Sequence, residues 1–249
     1  MHLIMIRMLG GLEVLRPDGA LVEPREWRTG KTADLLRLLA LENDRPVRVG
    51  SLLATLWPDA PVARAQGSLR TASSQIRRAI GTHCVVRQPD SLVLEGAWVD
   101  VGHYHRNGAD AAAAARAGDL ERVLALTRIA ERHYRGDFHA HDDLAAWAVA
   151  ERERLALRRH DMLCDAADAA LALGRPRDAL DFASTAARAT PSSETAHRAL
   201  MRAHADLGEV GAALRVYEGY RRHLADELGA DPSEQTRALH LGLLRGRGD

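Results

Sequence analysis

The sequence predicts a mainly α protein, with a small α+β module in its first hundred residues and an all-α region of paired helices behind it. Three observations carry this. Strand-like alternation and tight turns are confined to the first part; beyond about Val101 the chain is Ala-, Leu- and Arg-rich with helical spacing; and that second part repeats itself at a fixed interval. The chain has 249 residues, enough for two domains of ordinary size. Apolar residues make up 46% and charged residues 27%, so it can bury a core and stay soluble.

The elements follow in order. Leu3 to Met8 and Gly11 to Leu15 read as short strands, and Pro17-Asp18-Gly19 as a turn. Thr29 is placed to cap a helix from Lys31 to Leu41, whose Leu35, Leu36, Leu38, Leu39 and Leu41 make a broad apolar face. Asn43-Asp44-Arg45-Pro46 breaks it, and a second helix is expected over about Val49 to Trp57, starting near Ser51 and stopped by Pro58. A third is expected from Val62 to Ile80, closed by Gly81, because Ala65, Leu69, Ala72, Ile76 and Ile80 fall on one stripe. Val85 to Gln88, a Pro89-Asp90-Ser91 turn and Leu92 to Leu94 read as a hairpin. Strands, three helices and a hairpin are the order of an OmpR-type winged helix-turn-helix. The first domain is therefore set at 1–101 and the second at 102–249.

In the second part, Leu173-Gly174 followed by Ala179-Leu180 recurs as Leu207-Gly208 followed by Ala213-Leu214, an offset of 34 residues. That is the tetratricopeptide period, with Gly174 in the inter-helix turn, Ala179 and Ala186 at small packing positions and Pro191 at the repeat end. Ala183 stands where an aromatic is usual, and the next repeat has Tyr217 there.

Charge locates the candidate site. The chain is neutral overall, but residues 1–100 hold 13 Lys+Arg against 11 Asp+Glu. Within them, 61–89 carry five arginines (Arg64, Arg70, Arg77, Arg78, Arg87) and no acid, a positive strip of the kind a small DNA-reading module needs. On the third helix the apolar stripe leaves Arg64, Gly67, Arg70, Thr71, Ser74 and Arg78 on the other side, with Arg77 on the flank. Arginine chelates guanine edges in the major groove, and Ser or Thr reaches bases or phosphates. Arg87, Gln88 and Ser91 lie near the hairpin tip. Arg28, Thr29 and Lys31, the last the sole lysine, open the first long helix where backbone phosphate is held.

Other chemistry is excluded or weakly signalled. Thr29-Gly30-Lys31-Thr32 resembles the end of a phosphate-binding loop, but the first glycine of that motif would fall at Arg25. His139, His141, Asp142 and Asp143 lack a second ligand pair at helical spacing, as do His103 and His105. No nucleophile elbow or zinc-protease pattern occurs, so no enzyme activity, cofactor or metal is expected. Cys84 and Cys164 form no ligand motif and read as buried free thiols of a cytoplasmic protein. No run reaches the roughly 20 apolar residues of a membrane span, and Met1 to Arg7 has no signal-peptide pattern.

Four segments together resemble the Streptomyces antibiotic regulatory protein family, the AfsR- and DnrI-like transcriptional activators. They are Leu56-Trp57-Pro58-Asp59 with Ala65 to Ala72 and Ile76-Arg77-Arg78; Trp98-Val99-Asp100-Val101; Tyr134 to Phe138 with Trp147 and Glu151 to Leu155; and Glu227 to Ser233, near the end of the bacterial transcriptional activator domain. The resemblance implies a sequence-specific activator that binds direct repeats near promoter −35 elements, contacts RNA polymerase holoenzyme, pairs with a second copy of itself on DNA, and switches on a secondary-metabolite (antibiotic) gene cluster. It implies base and phosphate contacts at Arg64, Ser68, Arg70, Thr71, Ser74, Arg77 and Arg78, with Arg87 in the wing. Members often carry a bulky aromatic where this chain has Ser73-Ser74, a departure that bears on base preference. With no receiver or ATPase module in the sequence, the short stand-alone members are the expected match. Two rivals stay open: a helical-repeat scaffold whose winged helix binds protein, and a repressor gated by a small molecule held among the repeats.

Overall fold

The computed structural model describes residues 3–139 and 146–246. The chain divides into two compact units, Met1–Tyr104 with His133–Arg152, and His105–Arg132 with Glu153–Asp249. The fold is mainly α, and among the described residues every strand lies before Asp100.

In the first unit, β1 (Ile4–Arg7) pairs antiparallel with β2 (Glu13–Leu15). Its Ile4 and Ile6 point into the core while Met5 and Arg7 are half-buried on the other face, the period of two that a one-sided sheet requires. A 3-10 turn, Pro24–Trp27, inserts Trp27 into the core; the Glu23 and Glu26 side chains and backbone form a reciprocal capping box around it. Helix α1 (Gly30–Leu41) opens at Thr29, whose hydroxyl accepts the Thr32 N–H, and it buries Leu35, Leu36 and Leu39. After β3 (Val47–Arg48), helix α2 (Val49–Leu56) buries Leu52 and Leu56 and stops before Pro58.

Helix α3 (Val62–Ile80) has the bounds its flanking Pro61 and Gly81 dictate. Its whole predicted stripe, Ala65, Leu69, Ala72, Ile76 and Ile80, is buried, together with Ser73 and Ala79. The hairpin of β4 (Val85–Arg87) and β5 (Ser91–Leu94) follows, and β5 also pairs with β3, giving the order β3-β5-β4. Then β6 (Ala97–Val99) returns to pair in parallel with β1, so the other sheet runs β2-β1-β6. Three short pieces, the 3-10 turn, β3 and β6, go beyond what the sequence predicts: two to four residues are too few to show a period.

Asp100, only 1% exposed, locks the end of this arrangement. Its carboxylate accepts the N–H groups of Met8 at 2.8 and 2.9 Å, Leu9 at 3.0 Å and Val101 at 2.7 Å. The segment after His133 belongs to the same unit. Leu9 bridges Phe138, Gly10 donates to the Asp137 carbonyl, and Arg135 pairs with Glu13 at 3.0 Å. Gly10 and Gly136 meet backbone to backbone here: a Cβ on Gly136 would lie 3.0 Å from the Gly10 Cα.

The second unit is helical: most of α4 (Asp100–Ala117), α5 (Leu120–His133), most of α6 (Ala146–Ala172), α7 (Pro176–Ala189), α8 (Glu194–Asp206), α9 (Val210–Leu228) and α10 (Glu234–Leu244). The α6–α7 and α8–α9 turns match bond for bond at the 34-residue offset read from sequence. Leu173, Gly174 and Arg175 donate to Ala169, Leu171 and Ala170, and Leu207, Gly208 and Glu209 to Ala203, Ala205 and His204. Gly118 and Asp119 repeat the last two of these bonds between α4 and α5, a third hairpin. Small side chains let the helices approach: Ala167, Ala170, Ala179, Ala183, Ala186, Ala196 and Ala203 are fully buried in one cluster. Tyr217 packs separately, stacked on His240 with ring centroids 3.8 Å apart. Among the described residues no helix is long and apolar enough to cross a membrane.

Candidate nucleic-acid interface

The site is built on α3. Burial of one stripe forces the opposite side outward, and Arg64, Arg70, Thr71, Ser74 and Arg78 are all exposed, with Gly67 and Ser68 half-buried beside them. Thr71 donates its hydroxyl to the Gly67 carbonyl at 3.1 Å, and Ser73 donates to Leu69 at 2.8 Å. Both bonds satisfy hydroxyls on the helix itself.

Three anchors hold α3 in place. Arg16 donates its Nε to the Ala79 carbonyl at 2.6 Å and pairs with Glu26 at 2.5 Å, tying the helix C-terminus to the first sheet and the 3-10 turn. Thr32 donates to Gln75 at 2.6 Å, setting the N-terminus of α1 against the middle of α3. Arg77 donates its Nε to the Val85 carbonyl at 2.8 Å, which fixes the wing to the helix. Sequence reasoning misses Arg16, Glu26 and Gln75 because their partners lie 10 to 63 residues away, where no local pattern reaches.

Of the ten residues named from sequence, Arg70, Arg77 and Arg87 come together along one cleft of about 440 Å³ between α3 and the wing. Arg64, Ser68, Thr71, Ser74 and Arg78 share the outer side of α3. Lys31 is exposed in the first turn of α1, next to the Thr32 that touches α3. Arg28 is exposed at the end of the 3-10 turn with φ of 59°, a conformation that few non-glycine residues adopt. Ser91 differs from its expected place at the tip: it is buried and bonds Gln88 at 3.0 Å, so it closes the turn.

The remaining candidates resolve structurally. His103 stacks on Trp98 at 4.9 Å, and His139 lies 3.3 Å from Asp34 with its ring edge-on to Phe138 and Trp147. His141, Asp142 and Asp143 lie outside the described residues, and among those described no group of three metal-ligating side chains forms. Both cysteines are free and buried, and burial pushes each thiol up to about 11, away from thiolate chemistry.

Comparison with known proteins adds the family. Residues 99–244 match the profile described as bacterial transcriptional activator domain. The regulatory protein AfsR of Streptomyces coelicolor is 29% identical over 238 residues, covering 91% of this chain and 24% of AfsR. The chain thus spans about a quarter of that relative. Regulatory protein DnrI of Streptomyces peucetius is 28% identical over 253 residues, covering 96% of this chain and 92% of DnrI. Among solved structures, Mycobacterium tuberculosis EmbR, in complex with a low-affinity phosphopeptide, has a TM-score of 0.76 at 26% identity, covering 99% of this chain and 66% of EmbR.

Proposed function

The chain belongs to the Streptomyces antibiotic regulatory protein family of transcriptional activators, which carry the bacterial transcriptional activator domain, and from that premise we propose that it reads promoter DNA through α3. Helix α3 enters the major groove, with Arg64, Arg70, Thr71, Ser74 and Arg78 facing base edges and phosphates. Arg87 reaches the adjoining backbone or minor groove from the wing, while Arg28, Lys31 and Ser68 position the duplex. Residues 1–101 form the DNA-binding domain and 102–249 the activator domain, whose helical hairpins receive RNA polymerase holoenzyme or a second copy bound to the next element of a direct repeat near the −35 region. The regulated genes form a secondary-metabolite cluster.

One observation carries this reading: the side of α3 turned away from the core is exposed, arginine-rich and free of acids, and it stands beside an arginine-bearing wing. A mobility-shift titration on promoter fragments from its own gene neighbourhood tests it. Arg70→Ala and Arg78→Ala should each weaken binding by about 1–3 kcal/mol where they read a base. Unchanged affinity in both variants removes α3 as the reading helix. Failure to shift any such fragment favours the protein-scaffold role, and reporter output that rises on deleting the gene makes it a repressor.

A further inference from the structure

Helix α10 is apolar on two sides. Inward, Leu243 packs with Met201 of α8 and Ala213 and Tyr217 of α9, and the His240 ring stacks on Tyr217. On the other side Leu241 and Leu244 are 48% and 57% exposed, so they present apolar surface to solvent. A surface helix of a soluble domain ordinarily keeps that side polar. Glu234, Ala238, Leu241 and Arg245 are all exposed, and their spacing of four, three and four residues holds them within an arc of about 60°. From the start of the helix to its end, this stripe runs acid, small, leucine, base. Among the described residues neither Glu234 nor Arg245 has an ion-pair partner.

That order is its own complement when reversed. We propose that two copies of this chain pair in solution through α10, in an antiparallel contact about a two-fold axis. Glu234 of one copy then meets Arg245 of the other, Leu241 of one meets Ala238 of the other, and the axis makes each contact twice. The small Ala238 leaves room for the facing leucine, so the axes can approach to the about 8–10 Å of packed helices. Parallel pairing would instead set glutamate against glutamate and arginine against arginine. The 11 residues of α10 span only about 16 Å, less than a standard interface needs, so the dimer is weak, with a dissociation constant in the micromolar range. Copies on a direct repeat are related by translation and these by rotation, so this surface differs from any that joins neighbours on DNA. The pairing does not rest on α3 reading DNA.

Sedimentation velocity of the full chain without DNA, across the micromolar range, should show a reversible monomer–dimer equilibrium. Leu241→Glu should weaken it at least about tenfold, since it sets a charge at the centre of the apolar contact. Glu234→Arg and Arg245→Glu should each weaken it by about tenfold too, because each turns two attractions into two repulsions. Mixed in equal amounts, these two charge variants should pair with each other at near the parent strength, since both contacts again join opposite charges. All three positions are exposed, so melting temperatures should stay near the parent value, and recovery on mixing is a result that a misfolded variant cannot give. A monomer at every concentration, association that continues past the dimer, a dimer unmoved by Leu241→Glu, or charge variants that associate no better mixed than alone overturns the proposal.

Discussion

Arg70, Arg77 and Arg78 sit within three turns of one helix yet do different work. Arg77 is half-buried and bonded to Val85, whereas Arg70 and Arg78 are exposed. Arg77→Ala should therefore lose about 1 kcal/mol of folding stability in urea denaturation as well as DNA affinity. Arg70→Ala and Arg78→Ala should stay within about 0.5 kcal/mol of the parent. The helical spacing sets Arg77 apart on the flank, but its bond was not legible, since its partner is a backbone carbonyl in a strand of another element. Asp100 was legible only as part of a family segment, while its role is to collect the N–H groups of Met8 and Leu9 more than 90 residues back. Asp100→Ala leaves those groups buried without an acceptor and should cost about 1–3 kcal/mol, read from the same denaturation curves. His197 supplies a pH dependence. Burial holds its pKa below the ordinary imidazole value, against the hydrogen bond to the Ser193 carbonyl, and the neighbouring His223 charge adds to the lowering. The unfolded chain then takes up a proton before the folded one, so the contribution is present above the ordinary value and is lost as pH falls through it towards the lowered one. Stability measured across that window should fall with acid, and His197→Phe, which keeps a ring against Tyr220, should flatten the slope.

At the level of elements, the long periodic pieces were legible and the short or remote ones were not. Helix α3 has its predicted bounds because Pro61 and Gly81 punctuate it and five apolar residues mark its face. The wing followed from a turn between β-branched flanks. The third helical hairpin escaped because Gly118 is preceded by Ala117 and followed by Val123-Leu124, so neither the Leu-Gly nor the Ala-Leu signature is present, although the turn bonds are the same. The return of residues 133–139 to the first unit was equally hidden, since the Gly10–Gly136 crossing joins glycines 126 positions apart in sequence. Both kinds of turn can be tested through the backbone. Gly174 and Gly208 have φ of 67° and 77°, left-handed values that cost an L-residue energy, and their Cβ positions face open space. Gly174→Ala and Gly208→Ala should each destabilise by about 1 kcal/mol through conformation alone. Gly136→Ala acts through sterics instead, because its Cβ meets the Gly10 backbone at 3.0 Å and backbone cannot step aside as a side chain does. Its melting temperature should fall further than that of either turn variant.

For the whole molecule, zero net charge and DNA binding are compatible only if the positive charge is local. The 34 basic and 34 acidic residues cancel in sum, so a distant phosphate sees little field, while a phosphate at α3 meets arginines with no acid among residues 61–89. Affinity should then come from contacts within one Debye length, not from general attraction, and the salt dependence counts those contacts. Each phosphate neutralised releases counterions and contributes about 0.9 to the slope of log K against log salt. If Arg28, Lys31, Arg64 and Arg87 each hold a phosphate, the slope for one bound copy should be about −3.6. Removing Arg64 or Lys31 should lower its magnitude by about 1 and weaken every sequence alike. Removing Arg70 or Arg78, if they read bases, should instead leave the slope nearly unchanged and erode the preference for the operator over random DNA. Measuring both quantities in the four variants separates the residues that position the protein from those that choose the sequence. A slope near zero in the parent chain, with specific binding intact, would mean that the arginine strip does not face the phosphates at all.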